Sequence, residues 1–240
     1  MSQQPRSAVV FGARNLGRAI IETLVAQSWS VVGIARSQQT LDTITASGAV
    51  AMSGDITDPA SVTDALRSAA DAHGGVDLVV NAASPYGGRG PFGGGPIAEA
   101  DAEAFDAWAT APARAAFTFL STAGAFVVNQ GRPATLIQIT GGSSRRAMPG
   151  RGLWAAGSFG VRAITQAAAL ELRPQGIHVA LLIVDAGIQP IDPTTRQGVD
   201  PEALADPHQI ADAVLFLAEQ GARAATHELQ VTPLKETWVP

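Results

Sequence analysis

The chain has 240 residues, of which 46% are apolar and only 15% charged, so it can bury a large core and is neither disordered nor fibrous. Its net charge of −5 argues against nucleic acid and anionic membranes as partners, because both attract clustered lysine and arginine. The absence of cysteine excludes disulfides, thiolate catalysis and thiolate metal sites. We expect one cytoplasmic domain over residues 1–240 with no leader or anchor, since no apolar run approaches the roughly 20 residues that span a bilayer.

Apolar, β-branched runs alternate with longer stretches of helical periodicity, which is typical of repeated strand–helix–strand units. The predicted strands cover residues 8–11, 30–34, 49–52, 76–80, 135–139, 177–184 and 228–231. The predicted helices cover residues 16–27, 38–47, 59–73, 102–129, 153–172 and 207–220. This order predicts a Rossmann-like, doubly wound α/β fold in which a parallel seven-stranded sheet is covered by helices on both faces.

Two loops rich in turn-forming residues follow predicted strands. The first covers residues 86–96 and the second residues 189–206. Ligands of open α/β sheets bind beyond the carboxyl ends of the strands. We therefore expect both loops to border a pocket.

The turn after the first strand has the features of a phosphate loop. Gly12 ends the strand and Gly17 lies at the start of the first helix. Glycines allow a tight turn and the close approach of a pyrophosphate, and the positive end of the helix favours negative charge. A purely structural turn is the alternative interpretation.

Several landmarks in chain order resemble the short-chain dehydrogenase/reductase family. The turn at Gly12 and Gly17 is similar to a shortened form of the family's glycine motif that lacks the middle glycine. The Asp55-Ile56 pair is similar to the family's adenine-contacting pair, and residues 81–83 to its Asn-Ala-Gly motif. Residues 207–218 resemble its penultimate helix, and residues 227–233 resemble its last strand. The resemblance implies a dinucleotide bound by Gly12, Arg14, Asn15, Leu16, Gly17, Arg36, Asp55, Ile56, Asn81, Ala82 and Ala83.

Arg36 indicates which dinucleotide is bound. It stands at the end of the second predicted strand, where members of the family that use NAD carry an acidic residue for the ribose hydroxyls. An arginine instead suits the additional phosphate of NADP, and Arg14 is placed to help. We expect NADP(H) to be preferred over NAD(H), although a solvated Arg36 is the alternative.

The family's catalytic residues are not found at the matching positions. The family uses a serine followed by Tyr-x-x-x-Lys, in which the lysine lowers the tyrosine pKa from about 10. In the matching segment Trp154 occupies the Tyr position, Ser158 the Lys position and Gly141 the Ser position. The family's helix asparagine falls near Pro112. The chain has one tyrosine and one lysine in total, and neither lies on this helix, so no change of alignment restores the motif.

Three side chains are candidates for catalytic roles. Ser143, with Ser144 beside it, lies after the fifth predicted strand and is suited to hydrogen-bond a carbonyl, although Gly-Gly-Ser-Ser is also ordinary turn sequence. Tyr86 follows the Asn-Ala-Ala turn, where a phenol would reach substrate unless it is only a loop residue. Trp154 would stack on a ring substrate or simply pack.

The leading hypothesis is an NADP(H)-binding oxidoreductase that acts on a carbonyl or alcohol with a non-standard proton source. The alternatives are an inactive NADPH sensor or scaffold, and a non-redox cyclase, isomerase or dehydratase. The four histidines show no metal-ligand spacing, so we expect no metal. The resemblance implies a homodimer or homotetramer formed through the helices at 102–129 and 153–172.

Overall fold

The computed structural model describes residues 6–84, 90–192 and 200–236. The strands are β1 (Ser7–Phe11), β2 (Ser30–Ala35), β3 (Val50–Ser53), β4 (Leu78–Asn81), β5 (Ala134–Gly141), β6 (Ile177–Val184) and β7 (Glu228–Val231). They form one parallel sheet in the order β3-β2-β1-β4-β5-β6-β7. The predicted doubly wound, seven-stranded fold is therefore confirmed.

Seven α-helices are described within these ranges. They are α1 (Leu16–Ala26), α2 (Gln38–Ala46), α3 (Pro59–His73), α4 (Ala102–Phe105), α5 (Ala111–Asn129), α6 (Gly152–Leu172) and α7 (Pro207–Ala218). Side-chain caps fix where several of them begin. Ser37, Asp58 and Asp206 accept backbone N–H groups at the starts of α2, α3 and α7.

The long helix predicted at 102–129 is interrupted by a π-helical turn, Asp106–Thr110. Pro112 accounts for part of this break, because it has no N–H to donate to the Trp108 carbonyl four residues earlier. That carbonyl instead faces Gly157 of α6, where an added Cβ would lie 2.5 Å from the oxygen. The interruption lets α5 and α6 approach closely.

The core lies on both faces of the sheet, as the alternation of side chains along a strand requires. In β1, Val10 packs toward α1 and α7, whereas Phe11 packs toward α3 and α5. Phe11 meets Phe119 edge to face, with ring centroids 6.4 Å apart. Both are fully buried, so the central strands are covered on both sides.

One helical stretch, Ala102–Asn129, is apolar and long enough to span a membrane by composition alone. Half of its most apolar 18-residue window is buried within the protein. Its α5 portion packs against α3 and α6. We assign this stretch to the layer that covers the sheet.

Candidate functional site

A cavity of about 860 Å³ opens at the carboxyl ends of the strands. This volume lies within the range of roughly 300–1,000 Å³ that small-molecule and cofactor sites occupy. The cavity extends from Arg36 and Asp55, after β2 and β3, to Trp154 on α6. Phe92, from the first of the two predicted border loops, also lines it.

The turn between β1 and α1 is packed tightly against the end of β4. Gly12 has φ +86°, and a Cβ there would lie 2.4 Å from the Ala83 Cα. A Cβ on Gly17 would lie 2.3 Å from the Gly12 carbonyl oxygen. Any side chain at either position would push the turn away from the sheet, so the two glycines define this wall of the cavity.

Asn15 bridges this turn to the segment that follows β6. Its Nδ2 donates to the Gln189 carbonyl at 3.1 Å, and the Ile191 N–H donates to its Oδ1 at 3.0 Å. Although Asn15 stands at the N-cap position of α1, its side chain does not cap the helix. The first-turn N–H groups of α1 therefore have no side-chain cap at this wall, and Asn15 and Leu16 both line the cavity.

Charged side chains line the end of the cavity that lies beyond β2 and β3. The Arg36 guanidinium lies 3.5 Å from the Asp55 carboxylate and is 78% exposed, and Arg14 lines the same end. Asp55 accepts the Thr57 N–H at 2.9 Å. This hydrogen bond, with smaller contributions from the Thr57 hydroxyl and Arg36, holds the pKa of Asp55 below its usual value. The buried Ile56 follows Asp55 on the same wall.

The middle of the cavity is formed by the ends of β4 and β5. Asn81 Nδ2 donates to Gln138 Oε1 at 2.9 Å, and the Ala83 N–H donates to Asn81 Oδ1 at 3.1 Å. Ala82, which stands between Asn81 and Ala83 in the chain, also lines the cavity. Gln138 was not among the predicted site residues, but an amide side chain within an apolar buried strand is a signal that would have found it.

Trp154 and Gly141 lie against each other at the inner end of the cavity. A Cβ added to Gly141 would lie 3.4 Å from Trp154 Cζ2, and both residues line the cavity. Ser158, one turn further along α6, is completely buried. These are the two positions that the sequence analysis matched to the family's Ser and Tyr.

The predicted serine does not reach this wall. Ser143 lies in the short helical turn Gly142–Ser144 and is only 8% exposed, while Ser144 donates to the Gly141 carbonyl at 2.9 Å. Thr140 and Gly141 line the cavity, whereas the two serines are not among its lining residues. Tyr86, the other predicted catalytic side chain, lies outside the described residues.

Two aromatic residues at the inner end were not predicted. Phe92 meets Trp108 and Trp154 edge to face, with ring centroids 5.3 Å and 4.7 Å apart. All three rings line the cavity. No local sequence pattern unites them, because they belong to three separate elements.

An ion-pair cluster ties α6 to the edge strand β7. Arg162 of α6 donates from Nε and Nη2 to Glu228 at 2.7 Å and 2.8 Å, and Gln166 donates to the same carboxylate at 2.7 Å. The Arg162 hydrogen bonds hold the pKa of Glu228 below its usual value. Arg146 similarly forms a two-bond pair with the buried Asp185.

Within residues 6–84, 90–192 and 200–236, no group of three or more His, Asp or Glu side chains is placed to hold a metal ion.

Comparison with known proteins identifies the family. The family model described as short chain dehydrogenase matches residues 6–189. The chain belongs to the short-chain dehydrogenase family. A short-chain dehydrogenase/reductase from Hericium erinaceus is 30% identical over 190 residues, which cover 74% of this chain and 72% of that protein.

Solved structures share the fold over nearly the whole chain. An alcohol dehydrogenase from the archaeon Thermococcus sibiricus, complexed with 5-hydroxy-NADP, is 21% identical and superposes with a TM-score of 0.77 over 98% of this chain and 99% of that one. The 3-ketoacyl-(acyl-carrier-protein) reductase from Brucella melitensis, complexed with NADH, is 21% identical with a TM-score of 0.81 over the same shares. Structural relatives of this short-chain dehydrogenase thus bind both kinds of nicotinamide dinucleotide.

Proposed function

We propose that this short-chain dehydrogenase is an NADP(H)-dependent oxidoreductase that acts on a small carbonyl compound or alcohol. Residues 1–240 would act as one cytoplasmic domain. The observation that carries the proposal is the cavity itself, which joins an uncapped helix end, a charged end with Arg36 and an apolar inner end. When bound, the dinucleotide supplies or accepts a hydride.

The residues present fit a dinucleotide. The glycine turn allows the pyrophosphate to approach the backbone at the start of α1, where the N–H groups lack a side-chain cap and no acidic side chain stands in the first turn. Asn15, Leu16 and Gly17 would hold it there. Asn81, Ala82 and Ala83 would support the sugar and ring portion from the end of β4.

Arg36 would select NADP(H). The Arg36 side chain is 78% exposed, and its ion pair with Asp55 is long at 3.5 Å. A phosphate on the ribose would accept two parallel N–H bonds from it, which is stronger recognition than a ribose hydroxyl offers. Arg14 lines the same end and would add positive charge.

The proton would come from a non-standard source. Trp154, at the wall where the family's tyrosine is expected, has an indole N–H that donates hydrogen bonds but does not exchange a proton near neutral pH. Water or Tyr86 would then supply the proton, and Ser143 would assist only if its turn shifted toward the cavity. Trp154 would shape the space for substrate.

Calorimetric titration with NADPH and NADH tests the proposal. We expect NADPH to bind more tightly, and Arg36→Ala to weaken NADPH binding about 10-fold while changing NADH binding less than about 2-fold. Arg67→Ala is the matched control, because Arg67 is also an exposed arginine paired with an aspartate, at 3.1 Å on α3 outside the cavity. Absence of NADPH binding at millimolar concentration would remove the proposal.

Turnover separates the alternatives once binding is known. Carbonyl-dependent oxidation of NADPH by purified protein supports the enzyme. Tight NADPH binding without oxidation by any carbonyl compound would favour the inactive sensor or scaffold. Turnover that consumes no dinucleotide would favour a non-redox cyclase, isomerase or dehydratase.

A second copy of the chain is the proposed macromolecular partner. An apolar groove of about 350 Å³ runs between α5 and α6, and Phe117 on its rim is 58% exposed. Covering it in a homodimer or homotetramer would remove apolar surface from water. Phe117→Asp should reduce the sedimenting mass to that of the monomer, and an unchanged mass would move the interface elsewhere.

A further inference from the structure

The two ends of the cavity differ in chemistry. Arg14, Arg36 and Asp55 lie at one end, beyond β1, β2 and β3. At the other end, beside β5 and α6, Phe92 contacts both Trp108 and Trp154; we name these three rings the aromatic end. Of the described residues that line the aromatic end, none carries a titratable side chain.

The rings are held by packing on the start of α6. Phe92 precedes Gly94, which has φ +94° and where a Cβ would lie 2.7 Å from Leu153 Cδ1, so the loop that carries Phe92 presses directly on the helix. The Arg151 guanidinium covers part of the Phe92 ring, with its carbon 5.3 Å from the centroid. Phe92 is nevertheless 59% exposed, which leaves ring surface available to a ligand.

Backbone and small side chains line the cavity near the rings. Gly141 has no side chain, so the Trp154 indole lies against the backbone at the end of β5. From α5, Ala111, Pro112 and Ala115 line the cavity, and all three have small side chains. Aromatic edges and faces bind other aromatic rings more favourably than saturated rings of equal size.

The described polar side chains at this end are not proton donors to a substrate near neutral pH. Gln138 already shares its amide with Asn81 and with the Ile139 carbonyl. The Thr140 hydroxyl is buried, and neither side chain gives up a proton near neutral pH. The described residues at this end thus include no positioned acid, and a substrate whose reduced form is a weakly basic anion suits such a site best.

Quinones meet this requirement. Hydride addition to a saturated ketone leaves an alkoxide, whose conjugate acid has a pKa near that of water, about 15.7. Hydride addition to one oxygen of a quinone leaves the other oxygen as a phenolate, whose conjugate acid has a pKa of about 10, as in tyrosine. The phenolate is thus nearly six orders of magnitude less basic than the alkoxide, by roughly 5.7 pKa units, and takes its proton from water afterwards.

We propose that the aromatic end formed by Phe92, Trp108 and Trp154 binds a planar quinone, which is reduced to its hydroquinone. The proposal rests on the NADP(H)-dependent function proposed above. The hydride of the dihydronicotinamide of NADPH, with its two electrons, forms an O–H bond with one quinone oxygen as the C4–H bond breaks; the ring becomes aromatic, the other oxygen takes the negative charge, and NADP⁺ forms. The resulting hydroquinone anion then takes one proton from water, so one quinone, one NADPH and one proton give one hydroquinone and one NADP⁺.

Calorimetry on the cofactor-free protein and assays of NADPH oxidation test this inference, with 1,4-naphthoquinone as the probe and 1-decalone, a saturated ketone of similar size, as the comparison. We expect naphthoquinone to bind and to be reduced with one NADPH consumed per quinone, and decalone to do neither. Phe92→Leu should weaken naphthoquinone binding about 2- to 13-fold, the range that corresponds to one aromatic pair, and leave NADPH affinity unchanged.

Phe105→Leu is the matched control, because Phe105 is also exposed, at 49%, and lies on α4 outside the cavity. Both variants replace exposed side chains, so loss of folding will not obscure the result. If NADPH binds but naphthoquinone neither binds nor is reduced faster than in protein-free solution, or if decalone is reduced equally well, the inference is overturned while the proposed function stands. Failure of NADPH itself to bind would instead overturn the proposed function.

Discussion

The ion-pair cluster around Glu228 gives a prediction about stability and pH. Replacing Glu228 by glutamine keeps the shape of the side chain but removes its charge. The two hydrogen bonds from Arg162 and the one from Gln166 join β7 to the helix that carries Trp154. The substitution should therefore loosen the docking of α6 as well as lower overall stability.

The magnitude follows from burial and geometry. Hydrogen bonds to charged groups contribute about 1.5–3 kcal/mol when shielded from water. The Glu228 side chain is 20% exposed and glutamine retains one acceptor, so screening and partial replacement reduce the loss. We expect Glu228→Gln to lower the free energy of unfolding by about 1–2 kcal/mol at pH 7.

The pH dependence has a definite sign. Because Arg162 holds the folded-state pKa of Glu228 below its usual value, the carboxylate stabilises the fold fully above its unfolded pKa of about 4.3. That stabilisation is lost as the pH falls through the folded-state pKa. The difference between wild type and variant should therefore be constant above about pH 5 and shrink below it.

Urea unfolding followed by circular dichroism between pH 7 and pH 3 measures this difference. Asp64→Asn is the control, since Asp64 pairs with Arg67 at the surface with 58% of its side chain exposed, and should cost less than about 0.5 kcal/mol. An equal loss in both variants, or a Glu228→Gln loss that persists unchanged at pH 3, would refute the reasoning.

Three further substitutions probe the site and its support. Gly12→Ala combines a φ of +86° with a Cβ 2.4 Å from the Ala83 Cα, so it should cost about 3 kcal/mol or more in urea unfolding and abolish NADPH binding in calorimetry. Asn15→Ala should leave the Ile191 N–H unpaired and raise its hydrogen-exchange rate about 10-fold or more, whereas unchanged protection would show that the bridge is dispensable. Phe119→Ala, at a fully buried position, should cost about 3–5 kcal/mol, and a loss below 1 kcal/mol would contradict the packing described.

Much of the cavity was predictable because it depends on local sequence and strand order. Gly12 and Arg36 each follow an apolar strand, and parallel strands bring their carboxyl ends to one edge of the sheet. The sequence therefore predicts that both residues border one cavity, and both line it. The charged end of the cavity follows from the same rule.

Other features depend on residues that are far apart in the chain. The Asn15 side chain forms hydrogen bonds with the backbone of Gln189 and Ile191, which lie 174 and 176 residues further along the chain. No local sequence pattern predicts those partners. Ser143 resembled a carbonyl-binding serine, yet the short turn after β5 buries it and leaves Thr140 and Gly141 on the wall. The turn conformation, which the sequence pattern does not define, decides which hydroxyl faces the ligand.

The sequence by itself determined the parallel sheet, the positions of the glycine turn and Arg36, and the scarcity of tyrosine and lysine, because periodicity, composition and short motifs express them directly. Only the tertiary structure decided that α4 and α5 are separated by a π-helical turn, and that Phe92, Trp108 and Trp154 meet at one end of the cavity. These contacts arise where three elements pack together, and their geometry depends on loop backbone angles and on the close approach that Gly141 and Gly157 permit.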